Sequence, residues 1–120
     1  MRPHVDEVLP STPFPTVVMR LLALPAAHDL YVTAVDGAYL GVIVLDELKG
    51  HLGDREDLGV VTAADVMSVQ TRPITLEMSL DQAIDLFAET DLERLPVVDA
   101  NDDRLVGTVA RRDLLRRGVV

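Results

Sequence analysis

The side chains best suited to chemistry in this sequence are four arginines near its carboxyl end: Arg111, Arg112, Arg116 and Arg117. Guanidinium groups bind phosphates and carboxylates through paired hydrogen bonds, so the cluster is compatible with a phosphate-bearing ligand or an acidic partner surface. The same cations lie near the carboxyl end of a predicted helix, where they interact favourably with the helix dipole. Of these two interpretations we favour the second, a solvated helix face.

Side chains for nucleophilic or metal catalysis are not grouped as those reactions require. The three histidines, His4, His28 and His51, share no metal-ligand spacing, and no serine or threonine belongs to a recognisable triad. The sequence has no cysteine, which excludes a thiol nucleophile, a thiolate zinc site and a disulfide scaffold. We therefore predict that the chain is not an enzyme, contains no metal site and requires no cofactor.

Charge and hydropathy narrow the class of protein further. The 120 residues include 11 Lys and Arg against 20 Asp and Glu, so the net charge is −9. A chain this acidic is not expected to bind nucleic acid, because that binding needs a basic face. No apolar run approaches the roughly 18 residues of a membrane span, and no signal peptide precedes the first predicted element. We expect a cytoplasmic protein that does not insert directly into a membrane.

Helix and strand patterns alternate along the chain. Ser79 and Gln82 form a capping box before an amphipathic helix, and Thr62 with Asp65 forms another. Prolines exclude a regular helix over residues 5–15. The pattern predicts helices at 16–24, 46–52, 62–67, 80–90 and 112–117, and strands at 30–35, 39–45, 73–76, 95–98 and 105–110.

The two halves of the chain repeat each other. Aligning Thr16 with Ser79, an offset of 63, superposes the two long helices and the strands that follow them. Beyond a second hairpin predicted to be three residues longer, the offset becomes 66 and Gly41 meets Gly107. Divergent duplicates typically differ in loop length. We predict two units, residues 1–58 and 59–120, which share one core.

The second unit resembles CBS domains, the family named after cystathionine β-synthase. The resemblance rests on the order and spacing of residues 73–76 (PITL), 79–84 (SLDQAI), 95–99 (LPVVD) and 105–114 (LVGTVARRDL). It implies an α/β (α+β) fold of two βαββα repeats packed about a pseudo-two-fold axis. Residues 39–49 followed by 63–67 are most similar to the cytosolic CBS region of chloride-channel family transporters.

The resemblance also implies two candidate nucleotide sites, one in each half of the chain. Nucleotide-binding CBS domains carry Gly-x-x-Ser/Thr-x-x-Asp, whose aspartate accepts ribose hydroxyls and whose hydroxyl lies near ribose or phosphate. Here the acceptors are Asp113 and Glu47, whereas Ala110 and Val44 replace the hydroxyl residues. Asp113 has a second interpretation, an acid stabilised at a helix amino terminus. The implied ligand-contacting positions are Val44, Glu47, Thr75, Arg94, Ala110 and Asp113.

The function implied by the resemblance is regulation. We expect the module to form a homodimer and to couple to a membrane-embedded transporter domain of its parent chain. One alternative is a sensor of AMP, ADP or ATP that regulates an enzyme or another protein. Another is a dimerisation module that binds no ligand.

Overall fold

The computed structural model describes residues 5–26, 28–52 and 60–118, which form two three-stranded sheets with flanking helices. The first sheet contains β1 (Glu7–Val8), β2 (Leu30–Thr33) and β3 (Tyr39–Ile43), and the second contains β4 (Ile74–Thr75), β5 (Arg94–Val98) and β6 (Leu105–Ala110). The helices are α1 (Phe14–Leu22), α2 (Leu45–Leu52), α3 (Ala63–Val66), α4 (Leu80–Ala88) and α5 (Arg111–Gly118). None of the helices in these ranges is both long and apolar enough to span a membrane.

Both sheets have the same connectivity. The first strand lies parallel to the second, and the second pairs antiparallel with the third. The predicted α/β fold with two βαββα units is confirmed, although β1 lies in a proline-containing stretch where the sequence predicted no strand. The predicted boundary between residues 58 and 59 falls outside the described residues.

The helices correct the predicted alignment of the repeats. Helix α1 begins at Phe14, not after Thr16, and α4 begins 66 residues later, so the helix offset is 66 and not 63. Both helices have nine residues, and the buried Val17 and Leu21 of α1 correspond to the buried Ala83 and Phe87 of α4. The sequence prediction failed here because a proline in the first helical turn was counted against the helix, whereas proline is tolerated there.

The hairpins correct the predicted loop lengths. Val32 pairs with Gly41 in the first sheet, and Val97 pairs with Gly107 in the second, so β2 and β5 are offset by 65 residues. The second hairpin is therefore one residue longer than the first, not three. The predicted alignment was displaced by two residues, a shift that preserves which strand residues face the core and so leaves the apolar pattern unchanged.

Three apolar clusters hold the fold together. The first contains Val8, Val17, Leu21, Leu30 and Ile43 with others from the first repeat, and the second contains Ile74, Ala83, Phe87 and Leu95 from the second repeat. Val61, Ala63 and Val66 follow the first repeat in sequence but pack into the first cluster. In the third cluster, Tyr31 and Val42 pack with Val98 and Leu105, which joins the two sheets.

The tips of the two hairpins are also bonded to each other. The backbone N–H of Tyr39 donates to the carbonyl of Asp103, and the N–H of Leu105 donates to the carbonyl of Gly37, each at 2.9 Å. Gly37 has a φ of +93°, a backbone conformation that residues other than glycine rarely adopt. The turn predicted at Asp36-Gly37 thus also supplies an inter-repeat contact.

The chain enters the second repeat by crossing β3 at Gly41. Val42 and Ser68 exchange two backbone hydrogen bonds, of 3.0 and 2.8 Å. A Cβ atom at Gly41 would lie 2.8 Å from the Ser68 carbonyl oxygen and 2.9 Å from the Met67 sulfur. A side chain at this position would therefore push the crossing segment away from the sheet.

We expect Gly41→Ala to destabilise the protein by about 1–3 kcal/mol, the usual cost of overpacking a tight contact. Denaturant unfolding of the variant and the parent measures the difference. Val35→Ala is the control, because Val35 is 93% exposed and its truncation should change stability by less than about 0.5 kcal/mol. Equal stabilities of Gly41→Ala and the parent would contradict the close crossing.

Candidate ligand-binding clefts

A polar cleft of about 230 Å³ lies between the two repeats and is called here the Glu47 cleft. Glu47, in the first turn of α2, is its contribution from the first repeat. The rest comes from the segment before β4, the end of α4 and the start of β5. Those lining residues are Ser68, Gln70, Thr71, Arg72, Leu86, Glu89, Thr90 and Leu95.

The segment before β4 is held in place by the first repeat. The Tyr39 hydroxyl donates to the carbonyl oxygen of Thr71 at 3.1 Å, three residues after the bonds between Ser68 and Val42. The crossing at Gly41 therefore leads directly into the wall of the Glu47 cleft. Packing of the first repeat decides where Thr71 and Arg72 lie.

The charges of the Glu47 cleft come from two carboxylates and one guanidinium. The Arg72 guanidinium lies 3.3 Å from a carboxylate oxygen of Glu89, and both side chains are more than half exposed. Exposed ion pairs of this kind contribute less than about 1 kcal/mol, so Arg72 can exchange Glu89 for an anionic ligand at little cost. Glu47 remains as an acceptor for ligand hydroxyls.

A second, larger cleft of about 370 Å³ is called here the Asp29 cleft. Its apolar lining comes from the end of α1, the loop after it, and residues 44–45. Four carboxylate residues, Asp29, Asp46, Asp91 and Glu93, also line it. Because residues 91–93 belong to the second repeat, this cleft also lies between the repeats.

The carboxyl group of Asp29 interacts electrostatically with Glu47, which lines the other cleft. Burial, and after it the negative charge of Glu47, together raise the pKa of the Asp29 carboxyl to about 6. Burial and the charge of Asp29 also raise the pKa of Tyr39, to about 12. The same two causes raise the pKa of Tyr31. Within the described residues the buried Tyr31 hydroxyl has no hydrogen-bond partner, so the polar groups between the sheets are incompletely paired.

The structure spreads out the six residues implied by the family resemblance and does not bring the set from either half around a single cleft. Glu47 lines the Glu47 cleft and Val44 lines the Asp29 cleft. Arg94 and Ala110 are cross-strand neighbours, and the Arg94 guanidinium lies 3.5 Å from the Thr108 hydroxyl.

The remaining two residues lie elsewhere. Thr75 pairs with Val98, at the opposite end of β5 from Arg94. The two ends of β5 are four residue steps apart, a distance of about 13 Å. Asp113 is exposed in the first turn of α5 and lines neither of the two clefts.

The sequence analysis missed most of the cleft walls. Thr71, Arg72, Glu89 and Thr90 carry no local motif, and they meet Glu47 only because the repeats pack together. Asp29 carried a usable signal, since the corrected offset of 65 aligns it with Arg94. The two repeats therefore place opposite charges at equivalent strand ends.

Comparison with known proteins identifies the second repeat. Residues 63–119 match the CBS domain family. The whole chain is similar to a curated protein, arabinose 5-phosphate isomerase KdsD of Pseudomonas aeruginosa, with 32% identity over 120 residues. The match covers 98% of this chain and 36% of the isomerase, so the chain spans about a third of that relative's length.

Solved structures show that the whole chain has the fold of CBS pairs. The cystathionine beta-synthase pair domain of a Shewanella oneidensis protein assigned as a Mg²⁺ transporter has a TM-score of 0.79 and 17% identity, and the match covers 98% of this chain and 68% of that one. The cytosolic domain of the Mg²⁺ channel MgtE, solved with ATP, has a TM-score of 0.72 and 23% identity, over 96% of this chain and 45% of that one. At these identities the likeness establishes the fold alone.

The raised pKa of Asp29 predicts a pH-dependent stability. Between its ordinary value of 3.8 and about 6, the folded chain retains a proton that the unfolded chain has released, so this group makes folding less favourable as the pH rises. Asp29→Asn mimics the protonated carboxyl. We expect the variant to melt at a higher temperature than the parent above pH 6, with the difference shrinking towards pH 4.

Thermal unfolding in steps from pH 4 to 7.5 measures that difference. Asp85→Asn is the matched control, since Asp85 is an exposed carboxylate on α4 outside both clefts. A difference between Asp29→Asn and the parent that does not vary with pH would contradict the burial of this carboxyl.

Proposed function

We propose that this chain is a regulatory CBS pair that binds a small polar ligand in the Glu47 cleft and transmits the bound state to an attached protein. The observation that carries the proposal is the composition of the cleft. Glu47 comes from the first repeat, whereas Thr71, Arg72 and Thr90 come from the second. A ligand that contacts both repeats senses their relative position.

Regulation would follow from a shift between two arrangements of the repeats. A ligand that binds one arrangement more tightly raises the population of that arrangement by its difference in affinity. An attached domain that contacts both repeats then experiences the change. This mechanism needs no catalytic residue, in agreement with the regulatory character of CBS pairs.

Adenine nucleotides are the first ligands to test. The Glu47 carboxylate is suited to accept hydrogen bonds from ribose hydroxyls, and Arg72 can turn from Glu89 towards a phosphate. Two features oppose tight binding: the net charge of −9 and the cleft volume of 230 Å³, below the roughly 300 Å³ of typical ligand pockets. A nucleotide would therefore have to widen the cleft, which couples its binding to movement of the repeats.

Two kinds of parent protein are consistent with such a module. The sequence resemblance favours the cytosolic domain of a chloride channel or related ion transporter, and solved transporter domains with this fold belong to Mg²⁺ transport proteins. The similarity to arabinose 5-phosphate isomerase favours a sugar-phosphate enzyme, because its 32% identity extends over nearly the whole chain. In either case the module would act on the cytosolic side.

A homodimer is the expected assembly. Met19 and Leu22 on α1 are 72% and 68% exposed, which leaves apolar side chains on this helix outside the core. Burying them against a second copy would remove that surface from water. A ligand-free dimerisation module remains the competing function, and the ligand experiment distinguishes it.

We expect millimolar AMP, ADP, ATP or S-adenosylmethionine to raise the melting temperature, since a ligand that binds the folded state stabilises it. Calorimetry should show about tenfold weaker binding for Glu47→Gln, which removes a charged acceptor. Asp113→Ala tests the second predicted acceptor, and Asp85→Asn is the control. No heat and no thermal shift with any of the four ligands would reject nucleotide sensing and favour the dimerisation module.

Sedimentation at micromolar concentration should show a dimer. Replacing Met19 and Leu22 together by glutamate should shift it to monomer, because two charges would be buried in the interface. Val35→Glu is the control, since Val35 is 93% exposed and lies between β2 and β3, outside α1. A parent chain that sediments only as a monomer would contradict the assembly.

A further inference from the structure

Arg111, the first residue of α5, binds the carboxyl end of α4 and the loop that follows it. One nitrogen of its guanidinium, Nη2, lies 3.1, 2.5 and 3.1 Å from the carbonyl oxygens of Phe87, Thr90 and Leu92, which share its two N–H groups. The guanidinium carbon lies 5.1 Å from the centre of the Phe87 ring. The backbone N–H of Arg111 donates to the carbonyl oxygen of Glu93 at 2.8 Å. The expectation of a solvated arginine is therefore wrong for Arg111.

These contacts lie at the negative end of the α4 dipole, where a cation is favoured. One of the three acceptors, Phe87, belongs to α4, whereas Thr90 and Leu92 lie in the loop that follows. The positive charge of the guanidinium strengthens each of these hydrogen bonds. Together with the bond to Glu93, the guanidinium fixes both ends of residues 89–93, called here the clamped loop.

The clamped loop forms part of both clefts. Its first two residues, Glu89 and Thr90, line the Glu47 cleft, and its last three, Asp91, Leu92 and Glu93, line the Asp29 cleft. Five consecutive residues thus separate two cavities. Any displacement of the loop that widens one cleft changes the wall of the other.

The first repeat does not carry an equivalent arginine. At the helix offset of 66 residues, Arg111 corresponds to Leu45, which lines the Asp29 cleft and has no side-chain donor. The loop after α1 therefore cannot be bound from that position as the clamped loop is. The clamp is a property of one repeat, so it is not required simply to build a βαββα unit.

We propose that Arg111 is a positioning residue that makes the clamped loop move as one body and thereby couples the Glu47 cleft to the Asp29 cleft. The proposal rests on the proposed ligand-sensing function, since coupling matters only if a cleft is occupied. Occupation of the Glu47 cleft would displace Glu89 and Thr90. Because the guanidinium binds both Thr90 and Leu92, the displacement would reach the wall of the Asp29 cleft.

The first experiment measures whether Arg111 holds the loop. The amides of Glu89, Thr90 and Leu92 are each hydrogen bonded within this region, so their hydrogen exchange reports its opening. We expect Arg111→Gln to accelerate their exchange by about tenfold or more, because the charge-assisted hydrogen bonds from Nη2 are lost. Arg112→Gln, which changes the exposed neighbour on the same helix, should leave these amides unchanged.

Two comparisons make that experiment specific. The amide of Asp103, in the β5–β6 hairpin, should exchange at the parent rate in every variant. Arg111→Lys should recover only part of the protection, because the shorter lysine side chain keeps the positive charge but does not extend to the position that Nη2 of Arg111 occupies. If Arg111→Gln does not fold, the exchange rates of Arg111→Lys provide the test instead. Unchanged exchange at the loop amides in a folded Arg111 variant would overturn the proposal.

The second experiment measures coupling without any ligand. Asp91→Asn alters one wall of the Asp29 cleft, and the amide chemical shifts of Glu47 and Thr71 report on the other cleft. With Arg111 in place, we expect the substitution to move both shifts, and in an Arg111→Lys background we expect that response to be lost. A purely structural role would lower stability and leave the response intact, which would overturn the proposal.

The two proposals fail in distinguishable ways. Absence of nucleotide binding would reject nucleotide sensing, but it would not change the expected results of the exchange and chemical-shift measurements. A shift response that persists in Arg111→Lys would reject the coupling role even if a nucleotide binds to the Glu47 cleft.

Discussion

Tyr31 and Val42 of the first sheet pack against Val98 and Leu105 of the second, and this apolar contact holds the two repeats together. Each repeat has only about 60 residues, a size at which a chain buries too little of its surface to be comfortably stable alone. Both clefts are lined by residues of both repeats, so neither would exist without this contact. Among the residues that the structure describes, the buried hydroxyl of Tyr31 has no hydrogen-bond partner, so the contact includes a polar group at some energetic cost.

Two further features keep the repeats in register. The hairpin tips share backbone hydrogen bonds at Gly37 and Leu105, and the crossing at Gly41 fixes Ser68 on β3. Val61 and Val66 pack into the core of the first repeat although they belong to the chain that leads into the second. The wall of the Glu47 cleft formed by residues 68–72 therefore moves with the first repeat, whereas the wall formed by Leu86, Glu89 and Thr90 moves with the second. A ligand that contacts both walls would respond to the relative position of the repeats.

The acidic composition has a different meaning once the charges are placed. Carboxylates gather around the Asp29 cleft, while Arg72, Arg94 and Arg111 contact Glu89, Thr108 and the end of α4 respectively. These arginines thus already form hydrogen bonds with polar groups of the protein. An anionic ligand must displace one of those contacts, and the exposed pair of Arg72 with Glu89 is the least costly to displace.

Much of this fold could be predicted from the sequence, because capping boxes, apolar periodicity and turn residues act over a few residues. The helix after Ser79, the turn at Gly37 and the order of two strands and a helix that ends each repeat follow from such local signals. The repeat register could not be predicted, since a two-residue shift leaves the apolar pattern of a strand unchanged. The partners of Glu47 could not be predicted either, because Thr71 and Thr90 approach it only through packing.

Apart from β1 and the start of α1, the sequence by itself determined the elements, their order and one acidic residue of the site. The tertiary structure decided which side chains meet in each cleft. It also decided that Asp29 is partly buried where the charge of Glu47 acts on it, and that Arg111 binds the end of α4 and the loop after it instead of solvent. The physical reason is range: hydrogen bonds of caps and turns join near neighbours in the chain, whereas burial and clefts depend on contacts between residues far apart in sequence.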